Sequence, residues 1–180
     1  MKLRRILAHQ TIRGPVLGFV DGIINALTLA SGSIAGSGPA MTLGLAIRIS
    51  AFAFGTGCLV LFVSGYVDLR SELVRATREL SLARDKNLAV TRLGHAVLRD
   101  SGLDAAAGGT ASFLGCFLPL VVAVIVPSQA WIGIVVAIAM LAVLGAALAR
   151  SIGGRWLTWS IILAASGMVL TGVGLWLQIA

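Results

Sequence analysis

Charge is what this chain has least of. Asp, Glu, Lys and Arg together make up 12% of its 180 residues, about half the share of a typical soluble domain. That scarcity, beside 58% apolar residues, excludes a disordered chain and argues against a water-soluble enzyme domain. Nucleophile motifs, phosphate-cradling glycine loops and paired catalytic carboxylates are all missing, so the sequence reads as no enzyme and needs no cofactor. Histidine is limited to His9 and His95, which stand alone without metal-ligand spacing. The two cysteines, Cys58 and Cys116, fall inside apolar runs and behave there as small apolar fillers, so they carry no redox information. Aromatic residues are 6% of the chain and do not interleave with the basic ones, so the net charge of +7 does not point to nucleic acid.

Long apolar runs are present instead. A membrane-spanning helix needs about 20 apolar residues, and five runs qualify: Pro15–Ala30, Met41–Tyr66, Ala105–Val126, Trp131–Ala149 and Trp156–Ile179. They fill the chain and leave no room for a separate soluble domain. The sequence therefore predicts a single all-α membrane domain over residues 1–180, polytopic, with five transmembrane helices in a lipid bilayer. Trp131, Trp156 and Trp176 lie near the ends of runs, where an amphipathic ring is favoured.

Nearly all of the charge falls between these runs. With the N-terminus cytoplasmic, the segments Met1–Gly14, Val67–Asp104 and Arg150–Arg155 lie inside and hold every charged residue except Asp21 and Arg48. The outside connections, Ser31–Ala40 and Pro127–Ala130, hold none. The positive-inside rule thus sets the N-terminus in the cytoplasm and the C-terminus outside, as in a bacterial inner membrane. The N-terminal basic cluster before an apolar stretch also has the outline of a secretory signal. Asp21 within the stretch argues against cleavage. The central segment, residues 67–104, carries Leu69, Leu73, Ala76, Leu80 and Ala83 at helical spacing and reads as a short cytoplasmic amphipathic helical segment lying under the membrane.

The first run has two faces. Gly14, Gly18, Gly22, Ala26 and Ala30 recur every fourth residue, a stripe that lets two helices approach closely in lipid. Beside it lie Asp21, Asn25, Thr28 and Gly32, which also share a face. In the third run Gly108, Ser112 and Cys116 give a small face and Pro119 a site for a kink, while Gly145, Gly167, Gly172 and Gly174 mark further close contacts.

A carboxylate at Asp21 costs on the order of 2.5–3.5 kcal/mol in the membrane. It reads as an ion or proton site, or as a carboxyl kept neutral or hydrogen-bonded to Asn25 and backbone. Arg48, counted from the run ends, sits some 10–15 Å away in depth. It reads as a side chain reaching outward to the interface, as an electrostatic barrier, or as a lipid headgroup ligand. Asp68 and Glu72, four residues apart past the second run, could receive a cation at a pore mouth, or simply pair with Arg70 and Arg75.

The stretch from Ile12 to Gly22, with its Asp21-Gly22 pair and Gly32 further on, resembles the first helix of the vacuolar iron transporter family. Ser64-Gly65-Tyr66-Val67-Asp68 resembles that family's Gly-Glu-Tyr-Val-Ser segment, and Gly115-Cys116-Phe117-Leu118-Pro119-Leu120 its Gly-x-x-x-Pro-Leu motif. Leu144 to Arg150, followed by Gly154-Arg155-Trp156, is similar to its fourth-to-fifth helix connection. The resemblance covers nearly the whole chain in order. It implies a homodimer of five-helix subunits that exports Fe²⁺ or Mn²⁺ from the cytosol, often against protons, through a pore at the subunit contact lined by the first-helix Asp, here Asp21.

Two positions depart from the family's pattern. Aligned on Tyr66, the family's second-helix Glu falls on Gly65 and its Met on Leu61. The family's acidic cytosolic helices are also unmatched in residues 68–104. The ligands expected from this chain are then the hard oxygens of Asp21 and Asn25, which favour Mn²⁺ over thioether-assisted Fe²⁺, with Asp68 and Glu72 as cytosolic collectors. The alternative expectation is a member that moves no metal and serves as a membrane scaffold or regulatory subunit.

Overall fold

The computed structural model describes residues 2–34, 42–79, 92–126, 131–152 and 154–177, with side chains described over 14–33, 42–68, 70–71, 98–126, 131–150 and 154–176. These residues form five helices: α1 (Lys2–Ile34), α2 (Leu43–Glu79), α3 (Arg92–Ile125), α4 (Trp131–Ile152) and α5 (Trp156–Leu177). Each holds a stretch long and apolar enough to cross a bilayer: Gly14–Ser33, Leu43–Asp68, Leu98–Ile125, Trp131–Arg150 and Trp156–Trp176. The all-α, polytopic expectation is met.

The helix ends differ from the apolar run ends. α1 begins at Lys2 and carries Pro15 in its interior. α2 continues thirteen residues past Tyr66, and α3 begins thirteen before Ala105. The described parts of the 67–104 segment are extensions of α2 and α3, and Leu80 and Ala83 of the expected amphipathic segment lie outside the described residues. No Pro or Gly stands between Tyr66 and Glu79 to end α2, and a started helix adds residues cheaply. Arg70 adds local support: its Nη1 donates to the Tyr66 hydroxyl at 3.1 Å, and its guanidinium lies 5.8 Å from that ring's centre.

α1 is the central element, in contact with all four others. Its small-residue stripe packs on α3 as expected. A Cβ at Gly14 would meet the Asp104 carbonyl at 2.9 Å, one at Gly18 would overlap the Gly108 carbonyl, and one at Gly22 the Ser112 carbonyl. The equal steps of four on both helices mean that α1 and α3 run parallel in register. α2 runs against them, since Leu61 lies against Gly108, and Gly57 against Gly109 and Ser112. α5 parallels α1, with Leu27 near Gly167 and Ser31 against Gly174, and α4 opposes α5, with Gly145 against Ser160. The charged ends Asp68, Arg99, Asp100, Asp104, Arg150 and Arg155 thus all lie at the Gly14 end of the bundle.

Two apolar clusters flank α1. Ile23, Leu27 and Ala30 pack on Ile134, Ala137 and Leu141 of α4. Ala26 packs with Ala46 and Ala53 of α2 and with Cys116 and Leu120 of α3. The outer surface is apolar too, as a lipid-facing surface must be: Phe52 is 72% exposed and Trp176 83%. One expected close contact is absent. A Cβ at Gly172 meets nothing within 4 Å, because this residue stands on the exposed side of α5.

Candidate functional site

Asp21 stands on the one strip of α1 that the other helices leave open. Leu17, Asp21 and Thr28 are exposed there, and Asn25 is half-buried beside them. The strip is narrow because Gly14, Gly18 and Gly22 turn one flank of α1 onto α3, while Ile23, Leu27 and Ala30 turn the other onto α4. The predicted polar face is therefore real along Asp21, Asn25 and Thr28, and it opens to the outside of the subunit. Gly32, the fourth member, is buried.

Two donors reach the carboxylate. Ser112 of α3 donates its hydroxyl to Asp21 Oδ2 at 3.3 Å, and Asn25 donates from Nδ2 to the same oxygen at 3.5 Å. Both are at the long end of the hydrogen-bond range. The Ser112 hydroxyl has one proton and a second acceptor, the Ala53 carbonyl of α2 at 3.0 Å, so it serves one or the other. An ionised carboxylate offers about four acceptor positions. Among the described residues, Ser112 and Asn25 fill only part of that capacity at Asp21. What the three helices assemble is an oxygen-rich spot: a carboxylate, an amide, a hydroxyl and a backbone carbonyl.

Ser112 was predicted only as part of a small face. Its place beside Asp21 follows from the registry of α3 on α1, which puts it opposite Gly22. The nearest sequence signal is the matched four-residue spacing of Gly18 and Gly22 with Gly108 and Ser112.

The other candidates lie elsewhere. Asp68 is exposed at the end of the α2 span, fifteen residues beyond Ala53, or about 22 Å along the helix. Its backbone carbonyl accepts from Ser71 at 2.7 Å, and among the described residues it makes no ion pair. Arg70, its expected partner, is engaged with Tyr66 instead. The side chains of Glu72, Arg75, His9 and His95 lie outside the described residues. Among the described residues, no group of three or more His, Cys, Asp or Glu could hold a metal ion.

The two departures from the family pattern have structural employment. The Leu61 side chain fills the space over Gly108, and Gly65 stands against Ser101 of α3, where a Cβ would lie 3.6 Å from the hydroxyl. Both positions serve helix packing.

Arg48 is exposed and, among the described residues, has no hydrogen bond or ion pair. The Ser112 hydroxyl reaches the Asp21 carboxylate and the Ala53 carbonyl, and Ser112 also stands against Gly57, so Asp21 lies level with residues 53–57 of α2. Arg48 is five residues from Ala53 and nine from Gly57, about 7.5–13.5 Å along the helix, which overlaps the separation expected from the run ends.

No protein-family model, curated protein or solved structure matches the chain.

Proposed function

We propose that this protein moves divalent cations, Mn²⁺ or Fe²⁺, across its membrane, with Asp21 as the intramembrane ligand. The observation that carries this reading is a carboxylate exposed on a spanning helix and held only by two long hydrogen bonds. Exposure to lipid would leave Asp21 unfavourable by a few kcal/mol. A cation, taken up with the amide of Asn25 and the hydroxyl of Ser112, offsets that cost. Such an all-oxygen donor set favours Mn²⁺. The sequence resemblance to vacuolar iron transporters supports the same ion class, a homodimer and export from the cytosol. The clustering of charge at the Gly14 end supports a cytoplasmic N-terminus. Asp68, at that same end, would meet the ion first, with Glu72.

The test is uptake into proteoliposomes loaded with a divalent-ion reporter dye. The intact chain should move Mn²⁺, and Asp21→Asn should abolish the flux. Flux that survives in Asp21→Asn removes Asp21 from the mechanism. A second reading, a membrane scaffold or regulatory subunit that moves no metal, is favoured by one observation: Leu61 and Gly65 are both used for packing. It requires that a folded, reconstituted chain show no flux of either ion.

A further inference from the structure

We propose that Asp21 of one chain is paired with Arg48 of a second copy, in an ion pair that spans the contact between two subunits and that a cation must break to reach the carboxylate. Asp21 faces out of its own subunit on the open strip of α1. Within its chain it has no cationic partner among the described residues. Arg48 is the matching case. At 100° per residue it stands opposite Ala46, Ser50, Ala53 and Gly57, the row by which α2 is buried in the bundle. It points away from its own α1 and, among the described residues, is the one charge in the half of the bundle far from the Gly14 end.

The two charges fit in depth as well as in sign. About 7.5–13.5 Å separates their levels along the helix axes, and the near end of that range is within the reach of an arginine side chain. The surface around Arg48 admits a close neighbour. Gly44, Ala51 and Gly55 share its exposed face, and a Cβ at Gly44 or Gly55 would meet nothing within 4 Å. A two-fold axis makes the contact reciprocal, so one interface settles two carboxylates and two guanidinium groups together. A guanidinium also presents the planar fork that a carboxylate accepts best. The competing occupant is an anionic lipid headgroup, because Arg48 is equally five residues from the start of α2 at Leu43. That arrangement satisfies Arg48 and leaves Asp21 uncovered, whereas a second copy covers both.

The pair takes its acceptor from the Asp21 site proposed above, but it can be tested without any cation. Two differently tagged full-length chains, both with Cys58→Ala and Cys116→Ala, are co-expressed, one carrying Asp21→Cys and the other Arg48→Cys. An arginine–carboxylate pair holds its backbones too far apart for a direct disulfide, so the membranes are treated with a short bifunctional methanethiosulfonate. The expected result is a main product bearing both tags, well above what either variant forms with itself. Asn25→Cys with Arg48→Cys serves as a second pair if Asp21→Cys does not fold. Absence of the mixed product in folded protein overturns the proposal. So does Arg48→Cys that joins chiefly to itself, or that reacts freely with a membrane-impermeant thiol reagent, as a headgroup-level side chain would. Mixed cross-linking, with no Mn²⁺ flux in the chain that keeps Asp21 and Arg48, supports the pair and removes the transport reading; flux in that intact chain without the mixed cross-link does the reverse.

Discussion

Replacing Gly18 by alanine tests the packing on which the whole site depends. The added Cβ would overlap the Gly108 carbonyl oxygen and lie 2.6 Å from its carbon, where ordinary contact begins at 3.4 Å, so α1 and α3 must part by at least about 0.8 Å to free the carbon and further to free the oxygen. A gap of that size forfeits roughly a quarter to a half of the attraction at each contact it opens, and overpacking of this kind costs about 1–3 kcal/mol. Gly172→Ala is the control. Its Cβ meets nothing within 4 Å, and alanine improves helix propensity by up to about 1 kcal/mol. The two substitutions are chemically identical and should act with opposite sign. In detergent-solubilised protein followed by thermal unfolding, Gly18→Ala should lower the midpoint by roughly 2–12 °C, at about 2–4 °C per kcal/mol for a chain of this length. Gly172→Ala should leave it unchanged or raise it. Gly18→Ala should also weaken Mn²⁺ flux, because Ser112 follows Gly108 by one turn and moves with α3. Wild-type melting of Gly18→Ala, or equal losses in both variants, would refute the close approach of α1 and α3.

Two further outcomes follow from the same geometry. Ser112→Ala removes the hydroxyl that bridges Asp21 and Ala53. It should cost about 1 kcal/mol in stability and raise the Mn²⁺ concentration for half-maximal flux by up to about tenfold; unchanged flux kinetics would remove Ser112 from the site. Gly65→Ser should stabilise the fold by about 1 kcal/mol, read as a higher melting midpoint. The reason is that the Ser101 hydroxyl is buried without a partner among the described residues, 3.6 Å from where the new Cβ would stand, and a lowered midpoint would contradict it.

The spans were legible in the sequence because the membrane imposes them. Trp131–Ala149 was read from apolar content alone, and the structure gives Trp131–Arg150. Apolar content marks where lipid begins, however, and not where a helix stops. That is why α1 starts at Lys2 and α3 at Arg92. Small-residue spacing identified the face of α1 that packs closely, and Gly14, Gly18 and Gly22 do so. It could not identify the neighbour, since any helix can fill such a groove. Gly172 shows the limit: small size permits a close contact without requiring one. Asp21 was conspicuous as a charge in an apolar run, whereas Ser112 was an ordinary small residue until α3 acquired a register on α1.

The unsettled charge of Asp21 also limits what the isolated subunit can be. Inserting a carboxylate at this depth costs on the order of 2.5–3.5 kcal/mol. A good hydrogen bond to a charged group returns about 1.5–3 kcal/mol, but bonds at 3.3 and 3.5 Å return less, and one of the two donors is shared with Ala53. A cation offsets the remainder, whether Mn²⁺ or the guanidinium of another chain. Arg48 has the opposite need on the opposite side of α2, and no element of its own subunit turns toward it among the described residues. Within a single chain, among the described residues, neither charge meets one of opposite sign. The proposed pairing with a second copy therefore answers a need of Arg48 as much as one of Asp21.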